Sequence, residues 1–233
     1  MNKHILIVDD DGAVARLLQA ALNKNGFTTT VCFAGEEALL YLDQSSPDAA
    51  ILDIVLPGID GLEVLRSIRN HSRHCQIPVI MLTSKDSEVE TVLGLELGAD
   101  DYLSKPVRYH ELLTRLKKVF SRFDTKPTEK KDGNAIHGLV IDSLDRSVCV
   151  NGCSLTLTYL EFELLKLLTE NTGKVFTRDN LLDSLWHEDQ FYETRTVDVH
   201  VRRLRKKLEE AGADPGIIET VRGVGYRMAR PDS

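Results

Sequence analysis

The 233-residue sequence has four cysteines, one tryptophan and no apolar run near the roughly 18 residues that a membrane helix requires. The cysteines, at positions 32, 75, 149 and 153, are too few and too scattered for a disulfide framework. The N-terminal segment MNKHILIVDDDG lacks the apolar core and small-residue cleavage site of a signal peptide. These features predict a cytoplasmic protein with reduced, packing cysteines and no membrane partner.

The composition is that of an ordinary globular protein, with 42% hydrophobic and 28% charged residues. Taken alone, the net charge of −7 argues against nucleic acid as a partner. The charge is distributed unevenly, however, and residues 195–207 hold one acid, Asp198, against six basic residues: Arg195, Arg202, Arg203, Arg205, Lys206 and Lys207. A local basic excess of this kind attracts a phosphate backbone, so double-stranded DNA remains a candidate partner.

Residues 1–122 alternate five times between a short apolar run and a helical pattern, beginning with HILIVDDD and AVARLLQAALNKNG. Continuous apolar runs are typical of strands that are buried on both faces of a parallel sheet. The pattern predicts an α/β domain with a doubly wound, parallel five-stranded sheet of the flavodoxin-like type. In such sheets the ligand site lies at the carboxyl ends of the strands.

The second half follows a different pattern. Residues 123–134 are polar and interrupted by Pro and Gly, which predicts an interdomain linker. Residues 135–233 begin with short strands joined by an Asn151-Gly152 turn and end in a glycine-containing hairpin. Capping signals between them predict three helices, over 159–170 with Thr158 and Glu161 as a capping box, over 178–186 and over 195–209. Together these elements predict an α+β winged helix-turn-helix domain.

Three carboxylates follow apolar strand runs in the first domain. Asp9 and Asp10 end ILIVDD, and Asp53 ends AAILD. Any one of them alone is more simply a solvated strand end, but three at one sheet edge repel one another and favour a divalent cation such as Mg²⁺. Thr83 and Lys105 end two further strands and supply a hydroxyl and an ammonium group that can stabilise phosphoryl oxygens.

The basic helix of the second domain has two faces. Val197, Val201, Leu204 and Leu208 form an apolar stripe, and Asp198, Arg202 and Arg205 lie near another face. The arginine fork suits guanine edges, and His200, Arg202 and Lys206 suit phosphates. A basic face can also be merely solvated, but here a hairpin follows that carries Arg222, which suits a narrow minor groove.

The motifs VDDD, LDIVLPGIDG, MLTS and GADDYLSKP resemble the signature of two-component response-regulator receivers. The motifs TYLEFELLKLL, RTVDVHVRRLRKKL and ETVRGVGYRM resemble the effector domain of the OmpR/PhoB subfamily. The resemblance implies that Asp53 is the phosphoacceptor and that Asp9 and Asp10 bind Mg²⁺ together with the Val55 carbonyl. It further implies phosphoryl contacts from Thr83 and Lys105, switching through Thr83 and Tyr102, and a cis peptide bond before Pro106.

The resemblance also implies partners and their contact residues. Phosphorylation by a cognate sensor histidine kinase leads to a homodimer whose ion pairs involve Asp100, Asp101, Glu111, Arg115, Lys118 and Arg122. Two residues depart from the family pattern, because Thr91 stands where lysine is usual and Leu97 where an acid is common. Exposed ion pairs contribute only about 0–1 kcal/mol each, so a weaker or differently registered dimer is expected.

For DNA, the resemblance implies base contacts from Asp198, Arg203 and Arg205, and phosphate contacts from Arg195, Thr196, His200 and Arg202. Tyr226, like Trp186, has a polar group that can reach a phosphate, although both also suit a core or wing anchor. The segment HEDQFYE between the helices resembles the loop that contacts RNA polymerase.

The sequence thus predicts a phosphorylation-activated transcriptional regulator that binds direct-repeat half-sites. A phosphatase with Asp53 as nucleophile is one alternative, although IVL follows Asp53 without the second acid such enzymes place two residues on. Slow autodephosphorylation is expected, and turnover of an external substrate is not. A constitutive DNA-binding protein is the other alternative, which Thr91 and Leu97 leave open.

Overall fold

The computed structural model describes residues 3–83, 88–124, 136–143, 145–186 and 195–231. The side chains of residues 88–92, 118, 121–124 and 195 lie outside this description, as do most of the predicted linker and the HEDQFYE segment. Chain contacts divide the protein into two units, Met1–Phe123 and Asp124–Ser233. No helix in the described part of the chain has the length and apolar character to cross a membrane.

The first unit contains a five-stranded parallel sheet in the order β2-β1-β3-β4-β5. Its strands are β1 (His4–Val8), β2 (Thr28–Cys32), β3 (Ala49–Asp53), β4 (Val79–Thr83) and β5 (Asp101–Ser104). The helices are α1 (Gly12–Lys24), α2 (Gly35–Gln44), α3 (Gly61–Asn70), α4 (Glu88–Leu97) and α5 (Tyr109–Asp124). This architecture confirms the predicted doubly wound sheet.

Both faces of this sheet are buried. Leu52 and Met81 belong to the core that packs against α2 and α3, whereas Ile51 and Leu82 belong to the core that packs against α1 and α5. Because alternate residues serve opposite cores, a shift of one residue would move every side chain of a strand to the other core. The strand register is therefore fixed, and with it the position of the residues that follow each strand.

Helices α1 and α3 begin at the edge where the strands end, and an aspartate caps the first turn of each. The Asp11 carboxylate accepts hydrogen bonds from the Ala13 and Val14 amides, and Asp60 accepts one from the Glu63 amide at 2.8 Å. An ideal Cβ at Gly61 would lie 1.8 Å from the Asp53 carbonyl oxygen, so only glycine allows α3 to begin this close to the end of β3. These local features enclose the acidic edge of the sheet.

The described residues of the second unit form two antiparallel sheets, three α-helices and a short 3₁₀ helix, Pro215–Ile217. One sheet comprises β6 (Leu139–Asp142), β7 (Ser147–Val150) and β8 (Cys153–Leu155), and the other has β9 (Phe176–Thr177), β10 (Ile218–Val221) and β11 (Gly225–Met228). The helices are α6 (Tyr159–Glu170), α7 (Arg178–Leu185) and α8 (Arg195–Glu210). The winged-helix prediction is confirmed, with α7 ending one residue earlier and α8 one residue later than expected.

Several local predictions are also confirmed. Asn151 and Gly152 have φ values of 49° and 85°, as a tight two-residue hairpin requires, and Val150 pairs with Cys153 across it. Thr158 and Glu161 form the capping box of α6. All four cysteines are free thiols, but the predicted packing role holds only for the buried Cys32, because Cys75 and Cys149 are partly exposed and Cys153 is exposed.

Candidate functional site

The acidic edge of the first unit brings together the residues that end three strands. The carboxylates of Asp9, Asp10 and Asp53 each offer a ligand atom, and these atoms all lie within 4.8 Å of one another. Asp9 and Asp53 are buried, whereas Asp10 is exposed. The Lys105 ammonium lies 2.6 Å from Asp53 Oδ2 and 2.9 Å from Asp9 Oδ2. The predicted acids and lysine therefore form one site.

The electrostatics of this site follow from burial and close charges. Burial raises the pKa of Asp53, and the hydrogen bond and charge of Lys105 offset only part of that rise. Burial alone would lower the pKa of Lys105, but its contacts with Asp53 and Asp9 outweigh this effect and raise it. A cation held against two buried acids is the expected arrangement, since isolated buried carboxylates are costly.

The remaining predicted members surround the acids. Thr83 is buried at the end of β4, and the Val55 amide donates a hydrogen bond to Asp53 Oδ1 at 3.3 Å. The peptide bond between Lys105 and Pro106 is cis, as predicted. Thr83 and Ser104 are register partners, as are Met81 and Tyr102, so Thr83 and Tyr102 point to the same face of the parallel sheet.

The predicted dimer residues whose side chains are described all have ion-pair partners within their own unit. Asp101 and Glu111 both contact the Arg115 guanidinium of the same unit, with Arg115 Nη1 2.7 Å from Asp101 Oδ2. Asp100 is 2% exposed, accepts a hydrogen bond from the Val79 amide and lies 2.7 Å from the Arg69 guanidinium. Asp100 therefore lies inside the unit instead of on an exposed contact surface, because Arg69 reaches it from α3.

The two departures from the family pattern have different surroundings. Leu97 is half-buried and packs against the core, which explains why an apolar residue suits this position. The side chains of Thr91, Lys118 and Arg122 lie outside the described residues. The predicted intermolecular pairs that involve these three residues remain predictions.

The basic helix α8 presents a mixed face. Its apolar stripe, Val197, Val201, Leu204 and Leu208, is buried as predicted. Arg202 and Lys206 are exposed, and Arg205 is partly exposed and donates to the Ile218 carbonyl and to Thr220 Oγ1. Thr196 is buried, and the Arg195 side chain lies outside the described residues.

Two residues of α8 that were predicted to face DNA lie inside the domain. His200 is fully buried, with its ring 5.1 Å from that of the buried Trp186. The Arg203 guanidinium lies 3.1 Å from Oε1 of the fully buried Glu161 on α6. These placements correct the predicted phosphate contact of His200 and the predicted base contact of Arg203, because α6 and α7 cover this side of the helix.

Glu161 connects α6 to α8 through two cations. In addition to Arg203, the Lys207 ammonium lies 2.6 Å from Glu161 Oε2 and donates to the Thr156 carbonyl at 3.1 Å. Burial alone would raise the pKa of Glu161, but Arg203 and then Lys207 outweigh it and lower the pKa. The sequence indicated only the capping role of Glu161, because its α8 contacts join residues more than 40 positions apart.

A second network joins α8 to the wing. Asp198 Oδ1 accepts hydrogen bonds from Arg178 Nε and from the Tyr226 hydroxyl, both at 2.7 Å. The hydrogen bond to Asp198 raises the pKa of Arg178. Tyr226 is therefore a buried wing anchor in this structure, and Asp198 orients it. No pattern in the sequence signals Arg178, because its partners Asp198 and Tyr226 lie 20 and 48 positions away and only the tertiary fold brings them together.

The wing tip itself is exposed. Arg222, Gly223 and Val224 join β10 to β11, and Gly223 has a φ of 73°. The exposed Arg222 side chain thus lies at the end of the hairpin, where a groove-inserting residue is required.

Two protein-family models match the chain. Residues 5–117 match the response regulator receiver domain, and residues 152–228 match the model described as transcriptional regulatory protein, C terminal. The chain is 43% identical over 225 residues to the sensory transduction protein RegX3 of Mycobacterium bovis, which covers 96% of this chain and 98% of that protein. RegX3 of Mycolicibacterium smegmatis is also 43% identical, over 226 residues.

Solved structures support the same architecture. A mutant form of RitR aligns with a TM-score of 0.77 at 27% identity and covers 98% of this chain and 100% of that chain. DrrB of Thermotoga maritima, described as an OmpR/PhoB homologue, aligns with a TM-score of 0.51 at 33% identity and the same coverage.

Proposed function

Because the chain belongs to the OmpR/PhoB family of two-component response regulators, we propose that it accepts a phosphoryl group on Asp53 from a cognate sensor histidine kinase. The protein combines a receiver with a DNA-binding domain and regulates transcription in response to phosphorylation. The convergence of Asp9, Asp10, Asp53 and Lys105 on one sheet edge carries the assignment of Asp53. A carboxylate oxygen of Asp53 would form a bond to phosphorus while the phosphorus–nitrogen bond to the kinase histidine breaks, so the histidine imidazole is the leaving group.

The residues of the acidic edge fit a magnesium ion. Mg²⁺ is bound in proteins by one or two carboxylates, with waters and phosphate oxygens completing its coordination. Asp9, Asp10 and Asp53 supply the carboxylates, and Val55 lies beside Asp53. Bound Mg²⁺ would offset negative charge at the phosphoryl oxygens. The Lys105 ammonium, already 2.6 Å from Asp53, would neutralise a further oxygen.

In the unphosphorylated site, Lys105 pairs with the carboxylates of Asp9 and Asp53, and phosphorylation of Asp53 adds negative charge to this arrangement. A phosphoryl group adds about −1.5 to −2 charge and three acceptor oxygens. Thr83 lies at the end of the neighbouring strand, and its hydroxyl would donate a hydrogen bond to one of these oxygens. Because Thr83 and Tyr102 lie on the same sheet face, movement of Thr83 toward the phosphoryl group changes the space available to the Tyr102 ring.

The proposed output is a homodimer through α4, β5 and α5. Asp101, Glu111 and Arg115 form an ion cluster within one receiver, so dimerisation requires these groups to add or exchange contacts with Lys118 and Arg122 of the second copy. Exposed ion pairs are individually weak, so such a dimer depends on several pairs acting together. Two joined copies would then bind direct-repeat DNA half-sites.

DNA binding is proposed for the exposed surface of α8 and the wing. Arg202 and Lys206 would contact phosphates, Arg205 base edges, and Arg222 the minor groove. Arg195, at the start of α8, is a further proposed phosphate contact, whereas the burial of Thr196 argues against its predicted phosphate contact. Binding to RNA polymerase, cytoplasmic location and slow autodephosphorylation complete the proposal, and they rest on the family resemblance and the sequence.

The test is to measure mass by light scattering, with and without beryllofluoride and Mg²⁺, for the wild type and for Asp53→Ala. Asp60→Asn is a matched control, because this exposed acid lies in the loop that follows Asp53 and the amide retains a helix-capping oxygen. We expect beryllofluoride to produce a dimer of the wild type and of Asp60→Asn, but not of Asp53→Ala. Unchanged mass of a wild type that still binds DNA would favour the constitutive alternative.

A further inference from the structure

A glycine of α4 lies directly against the tyrosine of β5. An ideal Cβ at Gly94 would lie 1.5 Å from Tyr102 Oη and 2.8 Å from Tyr102 Cζ. Non-bonded carbon atoms prefer separations of about 3.5–4.0 Å, so no other residue fits at this position while Tyr102 stays where it is. The tyrosine hydroxyl occupies the volume that a side chain at residue 94 would fill.

The helix itself gives no reason for glycine here. Gly94 lies within α4, Glu88–Leu97, where glycine lowers helix stability relative to alanine because its unfolded chain is more flexible. The turn that follows the helix differs, since Gly98 has a φ of 112° that favours glycine. The contact with Tyr102 is therefore the structural feature that requires glycine at residue 94.

The same space is bounded by α3. The ideal Gly94 Cβ would also lie 3.3 Å from Leu62 Cδ2, so α3 closes the side of the slot next to the tyrosine. Tyr102 is partly buried and packs against the core that includes Leu62 and Met81. The ring is thus held between α4 and α3 on the sheet face that also carries Thr83.

We propose that Gly94 is a positioning residue for Tyr102, which opens a slot for the packed position of the ring and thereby sets how readily the phosphorylated receiver dimerises. A side chain at residue 94 would force the ring toward solvent, onto the surface formed by α4, β5 and α5. The effect on dimerisation rests on the proposed function, whereas the slot itself rests on the Gly94 and Tyr102 geometry alone.

The slot is tested by a double-mutant cycle in the full chain, with Gly94→Ala, Tyr102→Leu and the double variant. Leucine lacks the atoms equivalent to Cζ and Oη, so the clash disappears while a core side chain remains. Calorimetry would follow the receiver transition, recognised because the emission of Trp186 in the other domain does not change with it. We expect Gly94→Ala to lower Tm in the presence of Tyr102 but to raise it by about 3–5 °C in Tyr102→Leu.

A second readout reports the position of the ring. Protein labelled with 3-fluorotyrosine gives a ¹⁹F resonance for Tyr102, assigned by its loss in Tyr102→Phe. We expect Gly94→Ala to move this resonance to the value of a solvent-exposed tyrosine. Equal Tm increases in both backgrounds, together with an unmoved resonance, would overturn the slot.

The functional arm compares dimerisation with beryllofluoride and Mg²⁺. We expect Gly94→Ala to raise the dimer dissociation constant by about tenfold relative to the wild type, because the displaced ring would lie on the α4, β5 and α5 contact surface. An unchanged constant, with the wild type dimerising, would overturn the link between Gly94 and switching. A wild type that stays monomeric while the cycle shows the coupling would contradict the proposed function and still support the slot.

Discussion

Glu161→Gln is the perturbation whose effect the structure defines most sharply. Glutamine keeps an acceptor oxygen for the Thr158 amide, which Glu161 Oε2 accepts at 2.8 Å, so the capping box can persist. The substitution removes the charge that Arg203 and Lys207 share, at 3.1 and 2.6 Å, and replaces the oxygen that faces Arg203 with an amide donor. Any loss of stability therefore reports the buried ion cluster.

The magnitude follows from how deeply each charge is buried. Removing one member of a fully buried ion pair costs about 3–5 kcal/mol, because the other member is left without compensation. Glu161 is fully buried, but the side chains of Arg203 and Lys207 retain 12% and 26% exposure and can partly rehydrate. We expect Glu161→Gln to lower the free energy of unfolding of this domain by about 2–4 kcal/mol at pH 7.

The assay uses a natural probe. Trp186 is the single tryptophan of the chain and is buried in the winged-helix domain, so its emission during urea denaturation reports that domain. Glu210→Gln is a matched control, because Glu210 forms an exposed ion pair with Lys206 at 3.8 Å in the same domain. Such pairs contribute about 0–1 kcal/mol, so the control should change little.

The pH dependence gives an independent check. The two cations lower the pKa of Glu161 below its ordinary value of 4.5, so the unfolded chain binds this proton first as pH falls. The stabilisation is then fully present above pH 4.5 and is lost as pH falls through the folded pKa. A cost below about 1 kcal/mol at pH 7, or a difference between the variants that persists unchanged at acid pH, would refute the reasoning.

Two further predictions concern other parts of the chain. Burial raises the pKa of Cys32 from 9.0 to about 11, so its thiolate population at pH 8 should fall about a hundredfold, and Cys32 should react with Ellman's reagent far more slowly than the exposed Cys153. If the fast phase of the reaction is lost in Cys153→Ser, that phase belongs to Cys153. Fast labelling of Cys32 would contradict its burial. Arg222→Ala should weaken DNA binding most at sites with a narrow minor groove, measured by fluorescence anisotropy on A-tract and GC-rich duplexes. Equal losses on both duplexes would assign Arg222 to phosphate contact instead.

The acidic site could be predicted from the sequence because a simple rule of topology creates it. Parallel strands place their carboxyl ends at one edge, and Asp9, Asp53 and Thr83 each follow or end an apolar run. The Asn151-Gly152 turn and the Thr158 capping box were equally accessible, because both depend on residues adjacent in sequence. The turn and the capping box each depend on a few consecutive residues, and the acidic site follows from the order of the strands.

The faces of α8 could be predicted only in part. Helical spacing identified the buried stripe that includes Val197 and Leu204, because apolar residues repeat along it. It could not identify Arg203 or His200 as interior residues, since a polar side chain becomes buried only where another element supplies a counter-charge or a packing surface. Glu161 and Trp186 supply these, and neither belongs to the helix.

The burial of part of α8 lowers the positive charge that the helix can present to DNA. Of the six basic residues between 195 and 207, Arg203 and Lys207 are paired with Glu161, which leaves at most Arg195, Arg202, Arg205 and Lys206 for phosphates. Each phosphate contact contributes a slope of about −0.9 to the dependence of log affinity on log salt. We therefore expect α8 to contribute at most about −3.6 per bound copy, compared with about −5.4 for all six.

Binding isotherms at several salt concentrations would measure this slope, with Arg222→Ala used to subtract the wing. Arg202→Ala should reduce it by about one, because this arginine is exposed and is proposed to contact a phosphate. An α8 contribution near −5.4 would mean that Arg203 and Lys207 leave Glu161 to reach DNA. The buried carboxylate would then lose both of its cations at once, a cost that the tight contacts at 2.6 and 3.1 Å argue against.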